Sequence, residues 1–133
     1  MQMMLETRKV ADGDETRVID PAAIDQLREL QVEGDPDVLG ELIGMYLTDT
    51  EQRIDTIQAA VSEERHTDVE RGAHALAGGS AVFGADALIA VCRQLQAAGR
   101  SGDLGPAREL VERLRVEFDR LQVALSQEIT PGA

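Results

Sequence analysis

The stretch DLGPARELVERLRVEFDRLQVALS, Asp103 to Ser126, sets Leu104, Ala107, Val111, Leu114, Phe118, Leu121 and Leu125 at alternating steps of three and four residues. A helix turns about 100° per residue, so these side chains form one apolar stripe with the charged residues outside it. The reading is a helix from about Asp103 or Pro106 to Ser126 that buries one face. The same period recurs upstream. Asp35-Pro36-Asp37 opens a long helix with Leu39, Leu42, Tyr46, Ile54, Ile57 and Val61 in register and Thr50 within the stripe, ending around Ser62 to Arg65. Asp20-Pro21 starts a short helix with Ile24, Leu27 and Leu30 on one side. Thr67-Asp68-Val69-Glu70 has the form of a capping box, so a third helix runs from there to about Gly84. A fourth follows directly, turns Leu88, Val91, Cys92 and Leu95 inward, and breaks at Gly99 to Gly102. No stretch alternates apolar and polar residues over the length of a strand. The expected fold is all-α, an up-and-down antiparallel four-helix bundle with a short additional N-terminal helix as a lid. Residues 1–17 lack an apolar period and read as a mobile arm, 18–127 as the bundle and 128–133 as a C-terminal tail.

Composition limits what such a bundle does. The chain has 133 residues, 43% apolar and 29% charged, which suits one compact domain. Aromatic residues make up 2%, too few for base-stacking platforms. A net charge of -12 repels phosphate backbones and anionic lipid, so neither nucleic acid nor membrane is an expected partner. A single cysteine, Cys92, excludes an internal disulfide. With no apolar run of spanning length and no basic-plus-apolar leader, the expectation is a cytoplasmic monomer. The acidity is uneven: between Arg65 and Arg108 five arginines meet four acidic residues, a balance that is either chance or the place where a negatively charged group or surface approaches.

The third helix holds the anomaly. On a helical wheel Val69, Gly72, Ala73, Leu76, Ser80 and Phe83 fall within roughly 40° of one direction, the core face. His74 lies about 150° away, so it faces solvent. Its neighbours on that side are Glu70, Arg71, Ala77, Gly78 and Ala81, three of them nearly without side chains. Gly78 and Gly79 within a helix each cost about 1 kcal/mol relative to alanine. One reading is bland: an exposed histidine is a solvated polar residue, and glycines thin a helix for packing. The other is chemical. Imidazole titrates near neutral pH and offers a nucleophilic ring nitrogen that takes up a phosphoryl group reversibly, and bare surroundings admit a bulky donor.

The run His74-Ala75-Leu76-Ala77-Gly78-Gly79-Ser80-Ala81-Val82-Phe83-Gly84-Ala85, continued by Cys92 and Leu95-Gln96-Ala97-Ala98-Gly99-Arg100, resembles the histidine-containing phosphotransfer (HPt) domain family. That family carries H-x-L-K-G-S-[SA]-x-x-x-G followed by a helix with a C-x-x-L segment. The resemblance extends over the expected bundle. It implies that His74 accepts a phosphoryl group through Nε2, that Gln96 bonds the other ring nitrogen, that Arg100 lies near the phosphohistidine, and that Gly78 leaves space for the phosphoryl group and the docking partner. Gln96 and Arg100, four residues apart on one flank of the fourth helix, can both reach toward the third. Without the resemblance, Gln96 is an ordinary boundary amide and Arg100 a helix C-terminal cation. The implied partner is a response-regulator receiver domain, with a hybrid histidine kinase as a further one. By the same resemblance that receiver supplies the Mg²⁺ and most catalytic groups, so this chain is a phosphocarrier without a cofactor and not an enzyme. Arg71, Ala77 and Ala81, with Ile24 and Leu27 of the short helix, are the docking residues, although the apolar pair suits the core first.

The sequence departs from the family in one place that bears on chemistry. The lysine three residues after the histidine is Ala77, and the only lysine of the chain is Lys9. Loss of a cation beside a phosphoryl group weakens its stabilisation unless Arg71, Arg93 or Arg100 substitutes. This leaves a second reading, an HPt-like module that binds and sequesters a receiver or kinase without transfer. A purely structural bundle is the third. Metal sites are not expected: Glu63-x-x-His66 lacks the second copy a di-iron bundle needs, and His66 of the His66, Glu70, His74 series precedes the expected cap at Thr67.

Overall fold

In the computed structural model, residues 16–30 and 38–129 are described. They form α1 (Pro21–Arg28), α2 (Val38–Ser62), α3 (His66–Ser80), a 3-10 turn (Ala81–Phe83), α4 (Asp86–Ser101) and α5 (Ala107–Ser126). α2 packs on α3 and α5, and α4 on α3 and α5, which closes an antiparallel four-helix bundle; the α3–α4 interface is the most extensive. Among the described residues there is no strand, and no helix is long and apolar enough to cross a membrane.

The core is aliphatic. Leu110, Val111, Leu114, Phe118, Leu121 and Leu125 of α5 meet Ile54, Ile57 and Val61 of α2, Val69, Ala73 and Leu76 of α3, and Leu88, Val91, Cys92 and Leu95 of α4. Burial pushes the Cys92 thiol up to about 12, so this cysteine packs as a small apolar group. In α2 the stripe differs from expectation at one position: Ile43 is fully buried while Leu42 is 38% exposed. Both residues keep three-and-four spacing between Leu39 and Tyr46, and the direction of the neighbouring helices selects Ile43. Leu104 packs against the core from the loop before α5.

α1 covers the end of the bundle where α3 and α4 join. Asp20 caps it, its Oδ1 accepting from Ala22 N–H at 3.0 Å, and Asp20 N–H donates to the Phe83 carbonyl at 3.0 Å. Ile24 is fully buried beneath this lid, whereas Leu30 lies beyond the helix end and is 64% exposed. Two expected boundaries shift. Arg17, expected in the arm, pairs with Asp86 at 2.6 Å, and its carbonyl accepts from Ala87 N–H at 2.8 Å, so it belongs to the folded body. Glu128, expected in the tail, pairs with Arg28 at 2.8 Å, and Ile129 packs on the core. The remaining arm, residues 1–15, the Asp35-Pro36-Asp37 helix start and residues 130–133 lie outside the described residues.

The capping box at Thr67 does not form. α3 begins at His66, with Arg65 at the cap position and no side-chain cap. The cause lies in how α2 ends. Glu64 takes a left-handed φ of 56°, Arg65 N–H donates to the Ala60 carbonyl at 2.8 Å and Glu64 N–H to the Val61 carbonyl at 3.1 Å. These are the two bonds of a Schellman closure. Three residues, Glu63 to Arg65, separate the helices, and Val69 N–H bonds the Arg65 carbonyl at 3.0 Å, so Thr67 is already inside the helix. Glutamate is strained at a left-handed position that glycine adopts freely. Glu64→Gly is therefore expected to stabilise the fold by about 0.5–1 kcal/mol, read as a rise in the urea midpoint with unchanged slope.

Candidate functional site

His74 stands at mid-length on α3 with its side chain exposed, while Val69, Ala73, Leu76 and Ser80 of the opposite face are buried, as is Phe83 in the 3-10 turn that replaces the expected last turn of the helix. The wheel's core face is the observed one. Gly72 on that face lets α2 approach: a Cβ there would lie 2.8 Å from Ile57 Cγ1. Gly78 and Gly79 are different, since a Cβ on either would meet nothing within 4 Å. These two glycines leave open surface beside the histidine. At the far end of α3, the Tyr46 hydroxyl bonds Ser80 Oγ at 2.5 Å and the Tyr46 ring packs on Phe83 at 4.7 Å, pinning α2 to the turn that follows.

Across the groove, α4 brings two polar side chains onto α3. Gln96 Nε2 lies 3.3 Å from His74 Nδ1. One turn away, Arg100 Nε donates to Glu70 Oε2 at 3.0 Å. A groove of about 480 Å³ runs between the helices, with His74, Ala77, Gly78 and Ala81 on its α3 side and Ile89, Arg93, Gln96 and Arg100 on its α4 side. The Gln96 contact bears on which nitrogen of the imidazole is nucleophilic. For Nε2 to carry the free lone pair, the proton must sit on Nδ1, and Nδ1–H needs an acceptor. A half-turn of the Gln96 amide presents Oε1 in place of Nε2, a choice made by the hydrogen-bond network.

Of the other residues singled out from sequence, Ala77 is half-buried at the groove and Ala81 exposed. Arg71 is exposed but does not line the groove. Leu27 is half-buried against the core. Ile24 is corrected: it is fully buried, a core residue under the lid and inaccessible to a partner. His66, expected outside the third helix, is its first residue, yet among the described residues no group of histidine, cysteine and carboxylate side chains gathers to hold a metal. Glu70, which holds Arg100, was not singled out as its partner. The signal was present, since Glu70 precedes His74 by one turn as Arg100 follows Gln96 by one turn.

A model of the Hpt domain family matches residues 41–124. The chain belongs to the Hpt family. Among curated Hpt relatives, histidine-containing phosphotransfer protein 5 of Arabidopsis thaliana is 33% identical over 70 residues, 50% of this chain; the match spans 45% of that relative's own length. The crystal structure of histidine-containing phosphotransfer protein B from Pseudomonas aeruginosa PAO1 superposes with a TM-score of 0.75 at 26% identity, covering 84% of this chain and 93% of that one. MtHPt2 of Medicago truncatula, at 23% identity and a TM-score of 0.74, shares the fold over 91% of this chain and 86% of its own.

Proposed function

We propose that this chain is a phosphorelay intermediate that exchanges a phosphoryl group between His74 and the aspartate of a response-regulator receiver domain. The observation that carries this is an exposed imidazole whose Nδ1 is 3.3 Å from a glutamine amide, beside a glycine-lined opening. In the step toward this chain, the Nε2 lone pair of His74 attacks the phosphorus of the receiver's aspartyl phosphate. An N–P bond forms, the P–O bond to the carboxylate breaks, and its electron pair returns to the aspartate. The Nδ1 proton stays on the ring, held by Gln96, which orients the imidazole for in-line attack. The reverse step regenerates the aspartyl phosphate. This chain supplies a placed nucleophile and the surface around it, and the receiver supplies the other groups of the reaction.

The test is a radiolabelled transfer assay with phosphorylated receivers, in which label must appear on this chain and be acid-labile and alkali-stable. A second reading is favoured by Ala77, where the family lysine is absent: a module that docks a receiver or hybrid kinase without transfer. Stable capture of a receiver with no label on this chain under any donor would select it.

The groove itself gives a separate prediction. Because a Cβ at position 78 meets nothing within 4 Å, Gly78→Gln introduces no clash. Removal of a helical glycine is expected to stabilise the bundle by about 0.5–1 kcal/mol. The new side chain fills the space beside His74, so transfer from a receiver is expected to fall about tenfold or more. Thermal melts and transfer rates on one preparation check both signs, and an unchanged rate would show that this face does not meet the donor.

A further inference from the structure

A phosphoryl group on His74 would bring up to two negative charges to a protein whose net charge is already -12. It needs a local cation, and the groove has two arginines to offer. Arg100 is held: its Nε donates to Glu70 Oε2 at 3.0 Å, and the pair is close to neutral. Arg93 also lines the groove, is exposed, and has no ion pair or hydrogen bond among the described residues.

The register of the two antiparallel helices places Arg93. Glu70 faces Arg100 on one rung and His74 faces Gln96 on the next, four residues along each helix. Three residues further along α3 is Ala77, and three residues back along α4 is Arg93; both line the groove. Arg93 thus belongs to the rung after the histidine. Ala77 and Gly78 are too small to block a side chain crossing from α4. A guanidinium on a three-carbon stem can span such a gap, and its planar fork suits phosphoryl oxygens.

We propose that Arg93 is the cation that meets the phosphoryl group on His74, supplying from α4 the charge that Ala77 does not supply from α3. This rests on the phosphocarrier reading and assigns within it a residue on the opposite helix. Arg100, tied to Glu70 through its Nε, then orders the groove, its charge largely offset by that carboxylate. The proposal accounts for the alanine: a cation on α4 makes one on α3 redundant, and a lysine at 77 would face Arg93 across the groove as a like charge.

The test uses the full chain and potassium phosphoramidate, a small donor that needs no docking surface. Its P–N bond breaks, ammonia leaves, and an N–P bond forms at His74. Wild type, Arg93→Ala, Arg100→Ala and the double variant Arg93→Ala with Ala77→Lys are phosphorylated, and phosphorus NMR follows both the labelling rate and the titration of the bound phosphoryl group. Arg93→Ala is expected to label about tenfold more slowly and to raise the phosphoryl pKa by about half a unit or more. Lysine at 77 is expected to restore both readouts. The loss for Arg100→Ala is expected to be smaller than that for Arg93→Ala. Equal rates and titrations for wild type and Arg93→Ala, or a larger loss at Arg100, would overturn the assignment while leaving the carrier reading in place. Failure of the wild type to label at His74 would overturn both.

Discussion

His74→Gln is expected to remove all acid-labile, alkali-stable phosphorylation of the chain while leaving its stability within about 0.5 kcal/mol of wild type. The chemical half follows from the nucleophile. Glutamine has no unprotonated ring nitrogen, and its amide nitrogen is delocalised into the carbonyl, so no N–P bond forms. His66, the only other histidine, is half-buried at the first turn of α3, where a donor aimed at the mid-helix groove does not reach. The structural half follows from position: His74 is exposed, and its side-chain hydrogen bond to Gln96, at 3.3 Å, joins two side chains that are amide and ring here and amide and amide in the variant. The measurement is radiolabel incorporation from a phosphorylated receiver, with a thermal melt beside it. Full labelling would remove His74 from the site, and a melt lowered by many degrees would show that the imidazole supports the fold.

The ease of reading His74 and the difficulty of reading its surroundings have the same origin. A helical wheel is a local object, and the core face of α3 was strong enough to fix which way the imidazole points. The stripe of α5 was legible for the same reason. Leu42 and Ile43 of α2 were not separable, because both satisfy the local period and the choice lies with the helices around them. The expected cap at Thr67 failed because the preceding helix closes on itself through Glu64, and a left-handed glutamate carries no mark in sequence. Arg100 was seen from sequence as a reaching cation, but its capture by Glu70 depends on the register of α3 against α4. That register is set by packing and not by either helix alone.

Gly99 is where that packing is closest, and it carries the prediction with the largest effect on stability. The sequence places Gly99 at the end of the fourth helix, as a breaker together with Gly102. In the structure α4 continues through Gly99 to Ser101, and it is Gly102, at a φ of 81°, that ends it. The role of Gly99 is close approach. A Cβ there would sit 2.7 Å from Glu70 N, 2.8 Å from the His66 carbonyl oxygen and 3.1 Å from Glu70 Cα. These are backbone atoms of the first turn of α3, so no side chain can rotate aside. Gly99→Ala must therefore push the helices apart. The gain in helix propensity is about 1 kcal/mol, and overpacking against rigid backbone costs about 3 kcal/mol, so a net loss of about 2 kcal/mol is expected. For a domain of this size that lowers Tm by about 8 °C. Gly78→Ala supplies the comparison, the same substitution on the neighbouring helix with nothing within 4 Å, and it is expected to raise stability. The displacement begins at Glu70, one turn from His74, so it also loosens the Glu70–Arg100 and His74–Gln96 contacts, and phosphoryl transfer is expected to slow in Gly99→Ala even at temperatures where the bundle stays folded. A Gly99→Ala protein as stable as Gly78→Ala would mean that α3 and α4 are not locked together at this crossing, and the register that sets Gln96 against His74 would then need another cause.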